Sequence, residues 1–312
     1  MAKPRPFRFG VQAHRARNAA EWRERAQRIE AMGFEALYIP DHFDTQFAPF
    51  AALTAAAGAT TSLRVSTLVL DNDYRHPVVT AKEAATLDVL SDGRLDLGLG
   101  AGWMADDYEQ SGIRFDSAGT RIERLEEAVT IIKGLFGGEP FSFTGKHYSV
   151  KGLEGFPAPV QKPHPPILMG GGGRKMLSLA AREAEIVHIN YDLREGRINP
   201  ALVKTGMADR TLEKVGWVEE AAAGRRDQIE LAMTVFLASV TEDREGFAAS
   251  VAAGIEADPL DVLEMPHFLI GTIDEIAGQL EQRRERYGFT NVVLPGATAE
   301  QLQPVVERLA GR

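Results

Sequence analysis

Cysteine is absent from the 312 residues, so neither a disulfide nor a thiolate nucleophile or metal ligand is available to this chain. A run of about 18 apolar residues is missing too, and with it any predicted membrane-spanning helix. No apolar stretch of signal-peptide type follows Met1, and together these absences give a cytoplasmic expectation. Positive charge is in short supply: 35 Lys and Arg stand against 44 Asp and Glu, for a net charge of -9. Nucleic acid and anionic membrane both attract basic surfaces, so neither is expected as a partner. Low-complexity linkers and internal repeats are also lacking. What is present is apolar material: 44% of the residues are hydrophobic. That is enough for one large core, and an α/β barrel of roughly 250 residues plus insertions fits the length.

The densest local signal runs from Thr61 to Trp103. Arg64–Leu70 is a short, β-branched apolar run that stops at Asp71-Asn72-Asp73, residues that favour turns. Pro77 suits the first turn of a helix, where no amide hydrogen is needed. Val78, Ala81, Ala85 and Val89, with Ala84 and Leu87 beside them, give that helix an apolar face. Ser91-Asp92-Gly93 ends it and Leu95–Gly100 follows as a strand. Gly100-Ala101-Gly102 then leaves bare backbone at the strand's C-terminal end, where a planar ligand can lie close.

The same strand-then-helix rhythm recurs along the chain. Further strands are predicted at Phe7–Ala13, Ala36–Pro40, Ile167–Met169, Ile186–Tyr191, Ile229–Val240 and Asn291–Leu294. Ile122, Leu125, Val129, Ile132 and Phe136 share one face of a long helix, and Ala48–Thr60 is an alanine-rich one. Asn18 with Glu21, Thr272 with Glu275, and Thr298 with Gln301 each spell a capping box. Phe141–Val150 reads as a hairpin with Gly145 in its turn, and the polar Asp192–Met207 as a mobile loop. This alternation favours a closed parallel barrel, (β/α)8, over an open doubly wound sheet. We expect one TIM-barrel domain over residues 1–312, with insertions at about 139–166 and 192–208.

Two places carry chemistry. Gly170, Gly171, Gly172 and Gly173 follow an apolar strand and precede a helix beginning at Arg174, so free amides and the positive helix end would meet an anion there. The plain alternative is a tight strand-to-helix turn. The segment is no Walker A loop, because Met176 follows Lys175, and Gly98–Gly102 lacks the spacing and acidic residue of a dinucleotide fingerprint. Asp41 and His42 follow the apolar Ala36–Pro40 strand, at the end where barrel enzymes keep their catalytic groups. His42 can serve as a general acid or base near neutral pH, and Asp41 can orient a ring or its own backbone; a packing role for the histidine is the alternative. His14 and His188 also end strands and could line the same mouth. The remaining histidines are scattered without metal-ligand spacing, so no metal is expected.

The chain resembles the bacterial luciferase-like superfamily of flavin and deazaflavin oxidoreductases. The likeness rests on Glu30-Ala31-Met32-Gly33-Phe34, Pro40-Asp41-His42, Arg75-His76-Pro77, the Leu87–Arg94 segment, Gly98–Trp103 and Pro165–Gly171. It implies a TIM barrel whose Gly170–Gly173 run and Arg174 hold a cofactor phosphate, with Asp41 and His42 at the reacting face. It further implies a bulge at the end of the third strand, Thr67, Leu68 and Val69, with a non-prolyl cis bond between Leu68 and Val69 pressing on the cofactor's middle ring. Gly100, Ala101, Gly102 and Trp103 would complete that wall. Trp103 stands where the sugar-phosphate-oxidising branch has an acidic residue, which leaves that branch's substrate and proton relay unassigned here. The likeness points to hydride exchange between a small organic substrate and bound coenzyme F420. The alternatives are an FMN-dependent monooxygenase served by a separate cofactor-reducing enzyme, and a non-catalytic flavin-binding barrel. Family members commonly dimerise through helices of the first units, so a homodimer using Phe50–Ala59 and the Leu87–Leu90 edge is expected.

Overall fold

The computed structural model describes residues 5–312. Eight parallel strands close on themselves: Arg8–Gln12, Ala36–Ile39, Arg64–Thr67, Leu95–Gly100, Ile167–Gly171, Ile186–Ile189, Glu230–Thr234 and Phe289–Pro295. The first strand, Arg8–Gln12, pairs with Asn291–Pro295 of the last, and the third pairs with the fourth at Val65 and Leu95, which completes the ring. The expected (β/α)8 barrel is therefore the observed one. Strands two and six are buried at every position, as strands covered on both faces must be.

Packing divides into two main zones. Most of the core lies between barrel and outer helices, while Ala36, Tyr38, Leu168, Ile186, Ala232 and Val293 fill the barrel interior beneath Leu68 and Val69. The N-terminal end of the barrel is closed by charge instead. Arg8 reaches Glu35 at 2.6 Å, Glu230 at 2.7 Å and Asp96 at 3.1 Å, and Asp96 also receives Arg64. Nearly buried carboxylates of this kind need such partners, since an unpaired buried charge is costly.

The structure corrects several boundaries. The seventh strand does not run through Ile229–Val240. It ends at Thr234, and Leu237–Val240 leaves the barrel to pair with Phe268–Gly271 in a separate two-stranded sheet. Between them lie helices Arg244–Ile255 and Pro259–Glu264, an insertion that sequence patterning missed. Asp192–Met207 is not featureless: it holds a 3-10 turn at Leu193–Glu195 and a short helix, Pro200–Lys204, capped by Asn199. Thr272 and Glu275 form the reciprocal capping box. Thr298 does not cap its helix, because its hydroxyl donates to the Pro295 carbonyl instead. Asn18 does cap Glu21, but the Glu21 carboxylate turns to Arg17 rather than to Asn18. On the Pro77–Leu90 helix the buried face is formed by Ala81, Ala84, Ala85 and Leu87, and Val89 points outward. The hairpin forms with Gly145 after its first strand, but it is longer than Phe141–Val150: Pro140–Thr144 runs antiparallel to Ser149–Glu154. Among the described residues no helix is long and apolar enough to cross a membrane.

Candidate active site

The second strand delivers Asp41 and His42 to the C-terminal mouth of the barrel. His42 Nδ1 lies 2.6 Å from Asp107 Oδ2, on the short helix Ala105–Ser111 that follows the fourth strand. Asp107 is buried and held on both oxygens: Oδ1 accepts the Phe43 amide at 3.3 Å and Oδ2 accepts the Tyr74 hydroxyl at 3.2 Å. A carboxylate so fixed sets the orientation of the imidazole and leaves Nε2 toward the mouth. The Trp103 ring meets the His42 ring edge-on at 5.7 Å. The sequence offers Asp41 to orient a ring or its own backbone, and the structure gives the ring contact to Asp107, whose only local mark is a pair of acids in a helical first turn. Asp41 is otherwise engaged, receiving both guanidinium nitrogens of Arg75 and the Asp71 amide at 3.1 Å. It ties the turn after the third strand to the end of the second.

That turn holds a second acid on the cavity. Asp71 accepts the Tyr108 hydroxyl at 2.9 Å and the Asp73 amide at 2.9 Å. Burial, reinforced by the neighbouring Asp73 and Asp41 charges, pushes its carboxyl up to about 7 despite those hydrogen bonds. Gly102 makes this cluster possible. Its φ is +72°, and a Cβ there would stand 1.9 Å from the Tyr108 oxygen and 2.3 Å from Asp71 Oδ2.

The Leu68–Val69 peptide is cis, as the family likeness implied. Val69 packs down on the fourth strand, where a Cβ at Gly100 would come within 2.5 Å of it. Thr67 stands behind this bulge rather than on the cavity. It is fully buried, its hydroxyl donating to the Gly98 carbonyl and accepting the Gly98 amide, each at 2.8 Å.

The glycine run has a more divided explanation than open backbone for an anion. A Cβ at Gly170 would meet the His188 carbonyl at 2.9 Å, one at Gly171 the Met176 side chain at 2.7 Å, and one at Gly172 the Tyr191 carbonyl at 2.1 Å. Close packing therefore requires the first three. Gly173 differs, because its nearest neighbour would be Asp192 Oδ1 at 3.9 Å, and it is the N-cap of the ten-residue helix Arg174–Glu183. No side chain caps that helix, so its first-turn amides are free for an anion. Arg174 and Lys175 flank it, paired with Glu220 at 2.7 Å and Glu123 at 3.2 Å. These features fit the phosphate-bearing end of a flavin-like cofactor.

One cavity of about 840 Å³ gathers Asp41, His42, Leu68 and Val69 with Gly100–Trp103 and Gly170–Arg174. Of the residues singled out from sequence, Thr67 and His14 fall outside it. His188 also lines it, with Nε2 2.9 Å from the Thr234 hydroxyl and its pKa lowered to about 4 by burial, so it is neutral there. His14 borders a different groove. Asp107 supports His42 from behind, and Phe236 lines the far wall; both lie in segments whose sequences gave no functional signal.

Comparison with known proteins places these observations. A family profile described as luciferase-like monooxygenase matches residues 5–291. An F420-dependent glucose-6-phosphate dehydrogenase of Microbacterium testaceum is 35% identical over 189 residues, 58% of this chain and 55% of the relative. An FMNH2-dependent dimethylsulfone monooxygenase of Pseudomonas putida is 27% identical over 245 residues, 76% of this chain and 63% of the relative. The chain thus spans less than two thirds of the length of these curated relatives. The solved structure of a coenzyme F420 dependent tetrahydromethanopterin reductase from Methanopyrus kandleri superposes over 98% of both chains, with a TM-score of 0.78 at 20% identity, which is a likeness of fold.

Proposed function

The chain belongs to the luciferase-like monooxygenase family, and on that premise we propose that it is an oxidoreductase exchanging a hydride between bound coenzyme F420 and a small organic substrate. The observation that carries this reading is the His42–Asp107 pair, set at 2.6 Å beside Trp103 on the same cavity as the Leu68–Val69 bulge. When bound, the deazaflavin would supply the ring carbon that takes or gives the hydride. Leu68, Val69 and Gly100–Gly102 would support the ring, and Gly173 with the helix start at Arg174 would hold the phosphate. His42 would exchange a proton with the substrate oxygen through Nε2, while Asp107 keeps Nδ1 protonated and the ring in place. Trp103, edge-on to the imidazole at 5.7 Å, would form the apolar side of the reacting position. The assignment of Asp41 is then positional: it holds Arg75 and the Asp71 amide so that the mouth keeps its shape.

A reduced-FMN monooxygenase served by a separate reductase is the second reading, favoured by the longer alignment to the dimethylsulfone relative. Parallel fluorescence titrations of the purified protein with F420 and with FMN decide between them. Tighter F420 binding is the expected result. Tighter FMN binding supports the second reading, and failure of both to bind removes the oxidoreductase proposal.

A further inference from the structure

We infer that the substrate is an uncharged molecule with an apolar body several carbons long, its reacting carbon beside His42 and its body against a wall built by two insertions. This rests on the oxidoreductase reading for the reacting group, though not for the wall. The wall consists of Ile198, Leu202 and Val203 from the segment after the sixth strand, and Phe236, Ile255 and Phe268 from the segment after the seventh. The two segments pack on one another: Val203, Met207, Leu237 and Ile255 close around a core that includes Val262, Met265 and Phe268. Phe236 packs at a tilt against Tyr191 at 4.7 Å and His267 at 5.6 Å, yet remains 45% exposed, lining both this cavity and the neighbouring groove. A half-exposed aromatic in a cavity wall gains by covering itself with apolar surface.

Charge argues the same way. A phosphorylated substrate is held by fixed cations or by free helix-start amides, and the uncapped helix start at Gly173 is already assigned to the cofactor. Each Lys or Arg lining the cavity among the described residues is committed elsewhere. Arg121 donates to the carbonyls of Ala101, Gly102 and Asp116. Arg194 pairs with Asp192, and Arg174 and Lys175 lie at the helix start assigned to the cofactor, paired with Glu220 and with Glu123, which Lys146 shares. The other polar side chains on the cavity are neutral or acidic, Gln12, Gln46, Asn190, Thr234 and Asp71 among them, which suits a hydroxyl or carbonyl rather than a dianion.

The test is calorimetric titration of the purified protein, with and without saturating cofactor, using 2-butanol to 2-octanol and glucose 6-phosphate as probes. Affinity should rise by up to about fourfold per added methylene, and glucose 6-phosphate should bind at least tenfold more weakly than 2-octanol. Phe236→Ser should flatten the chain-length series while leaving cofactor affinity within twofold of wild type. A flat wild-type series, or glucose 6-phosphate binding as tightly as 2-octanol, overturns the inference. A protein that binds neither F420 nor FMN but keeps the chain-length slope instead overturns the oxidoreductase reading alone.

Discussion

At the residue scale the site turns on two acids and one histidine. His42→Ala should keep its cofactor but lose turnover by roughly 10²-fold or more if Nε2 moves a proton in the slow step. Asp107→Asn should act through the ring, displacing the pH-rate profile with little change in substrate affinity. Profiles identical to wild type in both variants would reduce His42 to a packing residue. Asp71 makes a separate prediction about stability. Its carboxyl is raised from 3.8 to about 7 in the folded protein, so the fold binds that proton more tightly than the unfolded chain does. Stability from this group is therefore greatest in acid and falls as pH rises from about 4 to 7. Asp71→Asn can still accept from Tyr108 and the Asp73 amide, yet carries no charge. It should stabilise the protein by up to about 4 kcal/mol at pH 8 and change little at pH 4, since one pKa unit corresponds to about 1.4 kcal/mol. Equal denaturant midpoints for wild type and variant at pH 8 would show that the buried charge is already accommodated.

At the scale of elements, what was legible in the sequence is what local chemistry dictates. The Pro77–Leu90 helix begins at its proline, with His76 capping it, and ends at the Ser91-Asp92-Gly93 turn. Leu95–Gly100 is fully buried, as its apolar run implies. What was hidden depends on tertiary partners. The seventh strand and its extension form one β-branched run with no break signal. The chain nonetheless changes partner within two residues, the Val235 amide bonding to Val293 and the Phe236 amide to His267. Asp107 was unreadable for the same reason, since only the fold brings it to His42 across 65 positions. Gly170–Gly173 shows a partial success: the run does mark a helix start, but three of its glycines answer to neighbours within the protein. The informative substitution is therefore Gly173→Val, where a Cβ meets nothing closer than 3.9 Å. It should weaken cofactor binding by about 2 kcal/mol, the scale of a charge-assisted hydrogen bond, with the melting temperature little changed. Unchanged affinity in a titration would take the helix start out of the cofactor site.

At the scale of the whole molecule, an outer ring of helices must present polar surface unless another chain covers it. The Pro77–Leu90 helix departs from that rule. Val79 is 48% exposed and Leu90 58% exposed, eleven positions apart and hence on nearly one line of the helix, with Val89 beside them. The adjoining Pro49–Ala57 helix turns Ala51 and Ala55 outward, small residues that allow close approach of a second backbone. A two-fold arrangement would pair these faces with themselves, as isologous interfaces do. We therefore propose a homodimer through the second and third helices, leaving the barrel mouth of each protomer open. Light scattering at micromolar concentration should give twice the 34.1 kDa chain mass. Leu90→Glu, placing like charges across the axis, should return the monomer while the cavity still binds its cofactor. A wild-type monomer mass, or a dimer indifferent to charge at position 90, would place the association elsewhere or remove it.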